Sequence, residues 1–565
     1  MSKIRIYLAQ INTKVGDLEG NFRKIEEQFH KAQEKDCDLI IFPEMTICGY
    51  PAQDLWQKEY FVKSCQEKIM QICDLSKGKK CALIIGSPIT DLDRDQAIIF
   101  RNSAIFIKDG KIEKIANKKN LPNHEVFDEK RYFTDSSALS THKLNGFSFS
   151  LMICADLWEN KNLFLISQHQ IDFAIAVNSS PYSIGKEQTR FEKAKKFSDK
   201  CQKPLIYLNQ VGGQDSLVFD GDSFVTGQYG EKILEMKNFE EDFAVIEILD
   251  THDVKVLEPK NYKSNFSQFS EKLHDLNLKC QKTAQNNYQA CILGLRDYIY
   301  KNGFSKVLLG MSGGIDSAMV ATIAVDALGS KNVALYALPS RFNSENSMVD
   351  AKKCAKNLEV ELKIIEIEPL FQKMLETLPN SSALTKENMQ SRIRGNILMS
   401  LSNDSGALLL STGNKSELAC GYATLYGDMC GAFNPIKDLY KSQIYQLANW
   451  RNQNIPAISI YQNINLIPQN IIDKAPTAEL RENQKDSDSL PDYAILDQIL
   501  YQIIEEQKSL SQIIELGFNK ELVEKITNLF YKSEYKRKQA PLGAKISKMA
   551  FDLERRYPIS NNYTK

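Results

Sequence analysis

The 565-residue chain contains no apolar run long enough to span a bilayer. Its first residues, Met1–Leu8, form a short alternating pattern without the apolar core of a secretory leader. Lys plus Arg equals Asp plus Glu at 71 each, so no long-range field draws nucleic acid or an anionic membrane. The 12 cysteines include no Cys-x-x-Cys pair. The 6 histidines all precede residue 275, and none pairs with a cysteine at zinc-ligand spacing. These absences argue against a disulfide framework and a structural zinc. They predict free thiols in a reducing, cytoplasmic compartment. Such a length predicts at least two cores.

What is present is concentrated in one octapeptide, Gly310-Met311-Ser312-Gly313-Gly314-Ile315-Asp316-Ser317. Val307–Leu309 before it reads as a buried strand, and Ala318–Ala324 after it opens a helix. Adjacent glycines allow positive φ and close backbone approach to an anion, and the helix N-terminus adds partial positive charge. Ser312 and Ser317 offer hydroxyl donors, and Asp316 offers a carboxylate to Mg²⁺. No Gly-Lys-Ser/Thr follows, so this is not a Walker loop.

Residues 1–250 alternate strands and helices, with strand patterns at Asp38–Pro43, Cys81–Gly86, Phe173–Asn178 and Pro204–Asn209. Asn102–Ile107 followed by Asp109-Gly110 reads as a hairpin arm and its turn. The polar stretch 251–286 reads as a linker, and 287–565 as a second domain of βαβ type. Strands recur there at Val333–Leu338, Leu362–Ile367 and Ala407–Leu410, implying a doubly wound parallel sheet with ligands at its carboxyl ends. Residues 469–490 are turn-rich and charged, and read as a flap over the nucleotide site.

In the first half Glu44, Lys118 and Cys154 each stand at the end of a strand pattern. Singly they read as a surface carboxylate, a loop lysine and a core thiol. Together they supply a base, a cation and a nucleophile, the set that amide hydrolysis through a thioester needs.

The octapeptide resembles the phosphate loop of the PP-loop ATP pyrophosphatases, which cut ATP to AMP and pyrophosphate. Phe42-Pro43-Glu44, Lys118-x-x-Leu121-Pro122 and Ile153-Cys154 with Asp156 and Trp158 resemble the nitrilase, or carbon–nitrogen hydrolase, superfamily. The two halves together resemble the glutamine-dependent NAD⁺ synthetases over nearly the whole chain. Asn388–Asn396, Ser411–Glu417, Tyr426-Gly427-Asp428 and Ser533–Arg537 carry further words of that family.

The resemblance implies an N-terminal nitrilase-like α-β-β-α sandwich and a C-terminal doubly wound sheet. It implies that deamido-NAD⁺, ATP and glutamine give NAD⁺, AMP, pyrophosphate and glutamate. Cys154 is then the nucleophile, Glu44 the general base and Lys118 the electrostatic stabiliser. His124, Ser180 and Lys186 match glutamine-contacting positions. Residues 310–317 and Thr412 match ATP contacts, with Asp316 and Glu417 as Mg²⁺ ligands. Asn388, Arg392, Glu417, Asp428, Lys441 and Lys536 match positions around the dinucleotide, Lys441 reaching phosphate. A homo-oligomer built on a synthetase-domain dimer is expected, with no nucleic-acid or membrane partner. Two positions depart from the family pattern: Ala155 replaces an acidic residue, and His124 replaces a tyrosine near bound glutamine. Both bear on glutamine affinity and its pH dependence.

Overall fold

A computed structural model describes residues 2–137, 139–259, 276–477, 479–482, 484 and 490–560. The chain divides into two compact units, Met1–Gln214 with Val218–Leu276, and Asp215–Leu217 with Asn277–Lys565.

The first unit is built on two sheets. The strands in chain order are β1 (Lys3–Gln10), β2 (Leu39–Ile41), β3 (Ala82–Leu92), β4 (Ile98–Lys108), β5 (Lys111–Asn117), β6 (Ser140–Leu144), β7 (Phe147–Ile153), β8 (Phe173–Asn178), β9 (Leu205–Asn209), β10 (Val211–Gln214), β11 (Leu217–Asp220), β12 (Phe224–Thr226), β13 (Lys232–Glu235), β14 (Asp242–Leu249) and β15 (Val254–Glu258). One sheet runs β15-β14-β1-β2-β3-β4-β5, and the other β13-β12-β9-β8-β7-β6. Strand periodicity of two decides what each face meets. Ile4, Ile6 and Leu8 of β1 point inward with Leu39 and Ile41, and pack against Phe149, Leu151, Ile153 and Ile175 of the other sheet. Tyr7 points the opposite way and hydrogen-bonds Gln28 of helix α1 (Leu18–Glu34). Behind the second sheet, Met152, Ala174 and Ala176 pack against Leu163 and Ile166 of α3 (Asn160–Ser167) and Phe197 of α4 (Lys186–Cys201). Helix α2 (Glu59–Ser76) buries Val62, Ile69 and Ile72. The result is the expected α-β-β-α sandwich.

The expected linker is partly ordered secondary structure. β15 adds to the edge of the first sheet, pairing with β14 antiparallel. Helix α5 (Leu276–Lys301) begins eleven residues before the expected second domain, at Leu276 rather than residue 287. Residues 260–275 lie outside those described.

The second unit centres on a wholly parallel sheet in the order β18 (Leu362–Ile364), β17 (Val333–Ala337), β16 (Val307–Gly310), β19 (Leu408–Leu409). α6 (Ile315–Leu328) follows β16 directly and is buried almost throughout, which explains its run of Ala, Val and Ile. α7 (Glu345–Asn357) and α8 (Ala383–Ser405) follow later, with the short α9 (Lys415–Cys420) and α10 (Lys441–Gln453) after β19. No helix among the described residues is long and apolar enough to cross a membrane. The cysteines are free, and most are buried.

Candidate active sites

Glu44, Lys118 and Cys154 are all buried, and all leave the carboxyl ends of strands in the first unit. Lys118 follows β5, and its Nζ donates to Glu44 Oε1 at 2.7 Å and to Glu129 Oε1 at 2.8 Å. The Ser179 N–H donates to Glu44 Oε2 at 2.9 Å, and Asn102 Nδ2 donates to Oε1 at 2.7 Å. The Tyr50 hydroxyl donates to Glu129 Oε1 at 2.9 Å. Two carboxylates and one ammonium are thus removed from water together, a costly arrangement that is retained where chemistry needs it.

Cys154 ends β7 and opens a 3₁₀ turn with φ of 45°, in the left-handed region that a non-glycine residue adopts at a cost. Burial pushes its thiol up to about 12; the Glu44 charge adds to the rise, and Lys118 and Lys186 oppose it. The thiol therefore rests protonated and needs a base. Burial alone would lower the Lys118 ammonium, but Glu129 and Glu44 outweigh it and hold it charged. Glu129 is pushed up to about 7 by burial, with Lys118 opposing and Glu44 adding to the rise.

Asp156 joins these pieces. Its Oδ1 accepts from the Lys119 and Asn120 N–H groups at 3.0 and 2.7 Å, and its Oδ2 accepts from the Ile153 N–H at 3.1 Å. One buried carboxylate therefore ties the lysine loop to the cysteine turn. Asp156→Ala leaves three backbone donors without that partner, and we expect a loss of roughly 2–5 kcal/mol of stability. Thermal unfolding checks it; an unchanged Tm contradicts the tie.

Of the positions expected to contact glutamine, Ser180 is locked in place: its N–H donates to Asn209 Oδ1 at 2.9 Å, and its hydroxyl accepts from buried Arg190 at 3.2 Å. Lys186 sits over the Trp158 ring at 4.7 Å. His124 is exposed, its ring edge-on to Phe127, so the structure gives it no hydrogen bond to the Glu44–Lys118–Cys154 cluster. Sequence reasoning did not single out Glu129, Asn102, Ser179 or the tie made by Asp156. Asp156 lies inside the motif word around Cys154; Glu129, Asn102 and Ser179 carry no spacing signal.

In the second unit a cavity of about 310 Å³ is lined by the 310–317 loop, Thr412, Glu417, Asp428 and Lys441, among others. Gly313 has φ of +81°, and a Cβ there would stand 2.1 Å from the Ser347 carbonyl oxygen. Only glycine fits. The Ser317 hydroxyl accepts from the Ser312 N–H at 3.2 Å, closing the loop on itself. Met311 and Ile315 contribute backbone to the loop while their side chains are buried, and the Met311 N–H is already spent on the Tyr336 carbonyl at 2.8 Å. Gly313→Ala should remove ATP-dependent synthesis with any nitrogen source and leave glutamine hydrolysis intact, costing about 1–2 kcal/mol in backbone strain beyond the clash. Parallel assays of the two half-reactions test it.

Asp316 and Glu417 meet at one cation: Lys441 Nζ is paired with Asp316 and lies 3.1 Å from Glu417 Oε1. Burial opposes the Lys441 charge, but the two carboxylates outweigh it and raise the group above the ordinary lysine range. Asn414 Nδ2 donates to Asp316 Oδ1 at 3.2 Å and its Oδ1 caps α9 at the Glu417 N–H. Two partly exposed carboxylates beside a phosphate loop fit Mg²⁺, which takes one or two protein carboxylates and completes its shell with phosphate and water.

Of the positions expected around the dinucleotide, Asn388, Arg392, Asp428 and Lys536 gather on loop 421–428, while Glu417 and Lys441 stand with Asp316. Thr424 donates to Asn388 Oδ1 at 2.8 Å and to Asp428 Oδ1 through its N–H at 2.7 Å. Arg392 Nε donates to the Leu425 carbonyl at 3.2 Å, and Lys536 Nζ to the Gly421 and Ala423 carbonyls at 2.7 and 2.8 Å. Arg394, two residues from Arg392, lines the cavity itself and is held by the Leu338 carbonyl at 2.9 Å. Burial pushes its guanidinium down to about 10, with Glu479 opposing. From the expected flap, Lys474, Glu479 and Leu480 line the same cavity; residues 478, 483 and 485–489 lie outside those described.

Family models give the same division. One described as carbon–nitrogen hydrolase matches residues 5–254, and one described as NAD synthase matches 287–540. The chain is thus a carbon–nitrogen hydrolase domain joined to an NAD synthase domain. A glutamine-dependent NAD(+) synthetase of Acinetobacter baylyi is 40% identical over 568 residues, covering 100% of this chain and 99% of the relative. That of Thermotoga maritima is 38% identical, covering 100% of this chain and 99% of its own length. A solved structure, the Acinetobacter baumannii glutamine-dependent NAD+ synthetase in complex with ADP, superposes with a TM-score of 0.75 at 38% identity, over 99% of each chain. The chain belongs to the glutamine-dependent NAD(+) synthetase family, a family of ligases.

Proposed function

We propose that the protein makes NAD⁺ from deamido-NAD⁺, using ATP to activate the carboxylate and glutamine as the nitrogen source. The observation that carries this reading is the presence of both sites in one chain: a buried Glu–Lys–Cys cluster, and a phosphate-loop cavity with paired carboxylates.

In the first unit the Glu44 carboxylate takes the thiol proton as Cys154 Sγ attacks the glutamine carboxamide. Lys118, held charged, offsets the oxyanion that forms. The proton returns to the departing nitrogen, ammonia leaves, and water hydrolyses the thioester to glutamate. Ser180 and Lys186 position glutamine, and the exposed His124 contacts it from beside Phe127.

In the second unit loop 310–317 and Thr412 hold ATP phosphates, and Lys441 counters phosphate charge. Asp316 and Glu417 would hold Mg²⁺, which withdraws charge from the pyrophosphate leaving group. Asn388, Arg392, Asp428 and Lys536 orient deamido-NAD⁺ so that its nicotinate carboxylate attacks the α-phosphate. Ammonia then displaces AMP from the carboxyl carbon. Free ammonia is mostly ammonium at neutral pH and lacks a lone pair, so production of ammonia on the same chain preserves the nucleophile. The balanced charge and buried free thiols support a cytoplasmic protein, and a homo-oligomer of paired synthetase domains remains part of the proposal.

Incubation with deamido-NAD⁺, ATP and glutamine, with mass detection of products, should give NAD⁺, AMP, pyrophosphate and glutamate. ADP in place of AMP contradicts the reading. Glutamate release should also rise when ATP and deamido-NAD⁺ are present, by about 5–150-fold, the range of a coupling of roughly 1–3 kcal/mol. Equal rates with and without them would make the two halves independent.

A further inference from the structure

A second cavity, of about 170 Å³, lies in the synthetase unit apart from the nucleotide pocket. Lys437, Arg537, Lys538 and Arg555 line it, against only Glu534 and Asp552. Arg537 and Arg555 already share one oxygen, Glu534 Oε2. Lys437 is 6% exposed, and its ammonium makes no hydrogen bond and no ion pair among the described residues. Arg555 Nη2 is buried with no hydrogen-bond partner. The unpaired ammonium of this largely buried lysine and the buried, unpartnered Arg555 Nη2 stand together beside a crowded guanidinium pair, an arrangement that an anion would complete. Burial pulls the Lys437 ammonium below its ordinary range and Lys538 adds to this, while Asp552, Asp438 and Glu554 oppose it.

We propose that this cavity binds a phosphate-class oxyanion. Water occupies about 30 Å³ in the liquid, so the space holds roughly six waters, room enough for one such ion. Arginine and lysine together suit it, Arg555 through its unpartnered Nη2 donor and the Lys437 ammonium as a point charge. The site is tied to the nucleotide pocket by short routes. Arg537 donates to the Leu418 and Ala419 carbonyls at 3.2 and 2.7 Å, on the helix that carries Glu417. Ala540 and Leu542 line the anion cavity, and Pro541 between them lines the nucleotide pocket. Two sources share this chemistry, free orthophosphate and pyrophosphate.

The test is thermal unfolding of the full chain against potassium phosphate or potassium pyrophosphate, with potassium chloride at matched ionic strength. Either anion should raise Tm by roughly 2–4 °C at saturation, and the one acting at lower concentration identifies the source. In the Gly313→Ala background, where the nucleotide loop no longer contributes, Lys437→Met should remove the response, and Lys538→Gln, on an exposed side chain, should weaken apparent affinity about tenfold. Gly313→Ala, which disrupts the nucleotide loop, should keep the response. A response no larger than that to chloride, or one unaltered in both Lys437→Met and Lys538→Gln, or one lost in Gly313→Ala, overturns the proposal.

Discussion

Replacing Cys154 with alanine should remove glutamine-supported NAD⁺ synthesis while leaving synthesis from high ammonium intact. Cys154 alone among the cluster's side chains can form the acyl bond to glutamine, and its backbone is already set in a left-handed turn at a strand end. Removal of a catalytic nucleophile costs on the order of 10⁴-fold or more in turnover. The synthetase residues belong to the other unit, so the ammonium reaction provides the internal control. Glu44→Gln should behave alike, because the thiol at about 12 gives up no proton without a base. Glutamate release and NAD⁺ formation, measured on one preparation with each nitrogen source, separate the cases. Residual glutamine hydrolysis at wild-type rate in Cys154→Ala contradicts the assignment.

Asp316→Ala should have the reverse breadth, abolishing NAD⁺ formation with glutamine and with ammonium. Its carboxylate is one of two that converge on Lys441, and Asn414 holds it in place from the α9 cap. Without it the proposed Mg²⁺ would lose a ligand, and Lys441 loses one of the two carboxylates that raise its basicity. Electrostatic contacts at a transferring phosphoryl group are worth roughly 10²–10³-fold or more each. Glutamine hydrolysis without synthetase substrates should survive. A variant that still releases AMP at the wild-type rate removes Asp316 from the nucleotide chemistry.

The parts of this protein that the sequence announces are those where a strand ends in a polar residue. Glu44 and Cys154 each follow an apolar run and Lys118 follows the mixed, mostly exposed strand β5, so their placement at the carboxyl ends of strands follows from strand direction. The phosphate loop is equally plain, because Gly313 and Gly314 interrupt a strand–helix junction. The supports of the first site are hidden for a physical reason. Asn102 sits inside β4, where an amide reads as an interruption, and becomes a donor to Glu44 only through pairing across the sheet. Glu129 lies in a short 3₁₀ turn with no period to read, yet it is the second carboxylate on Lys118. The edge strand β15 is hidden because it is five residues long, at most half-buried, and broken by Lys255 and Glu258 without a clean period of two. Helix α5 begins in polar sequence, where its apolar period has not yet started.

The nitrogen itself gives the most direct test of a two-site enzyme. Glutamine labelled with ¹⁵N in its side-chain amide, supplied with ATP, deamido-NAD⁺ and an excess of unlabelled ammonium, should yield NAD⁺ carrying ¹⁵N together with AMP. NAD⁺ that carries only the unlabelled nitrogen of the surrounding ammonium would contradict the account.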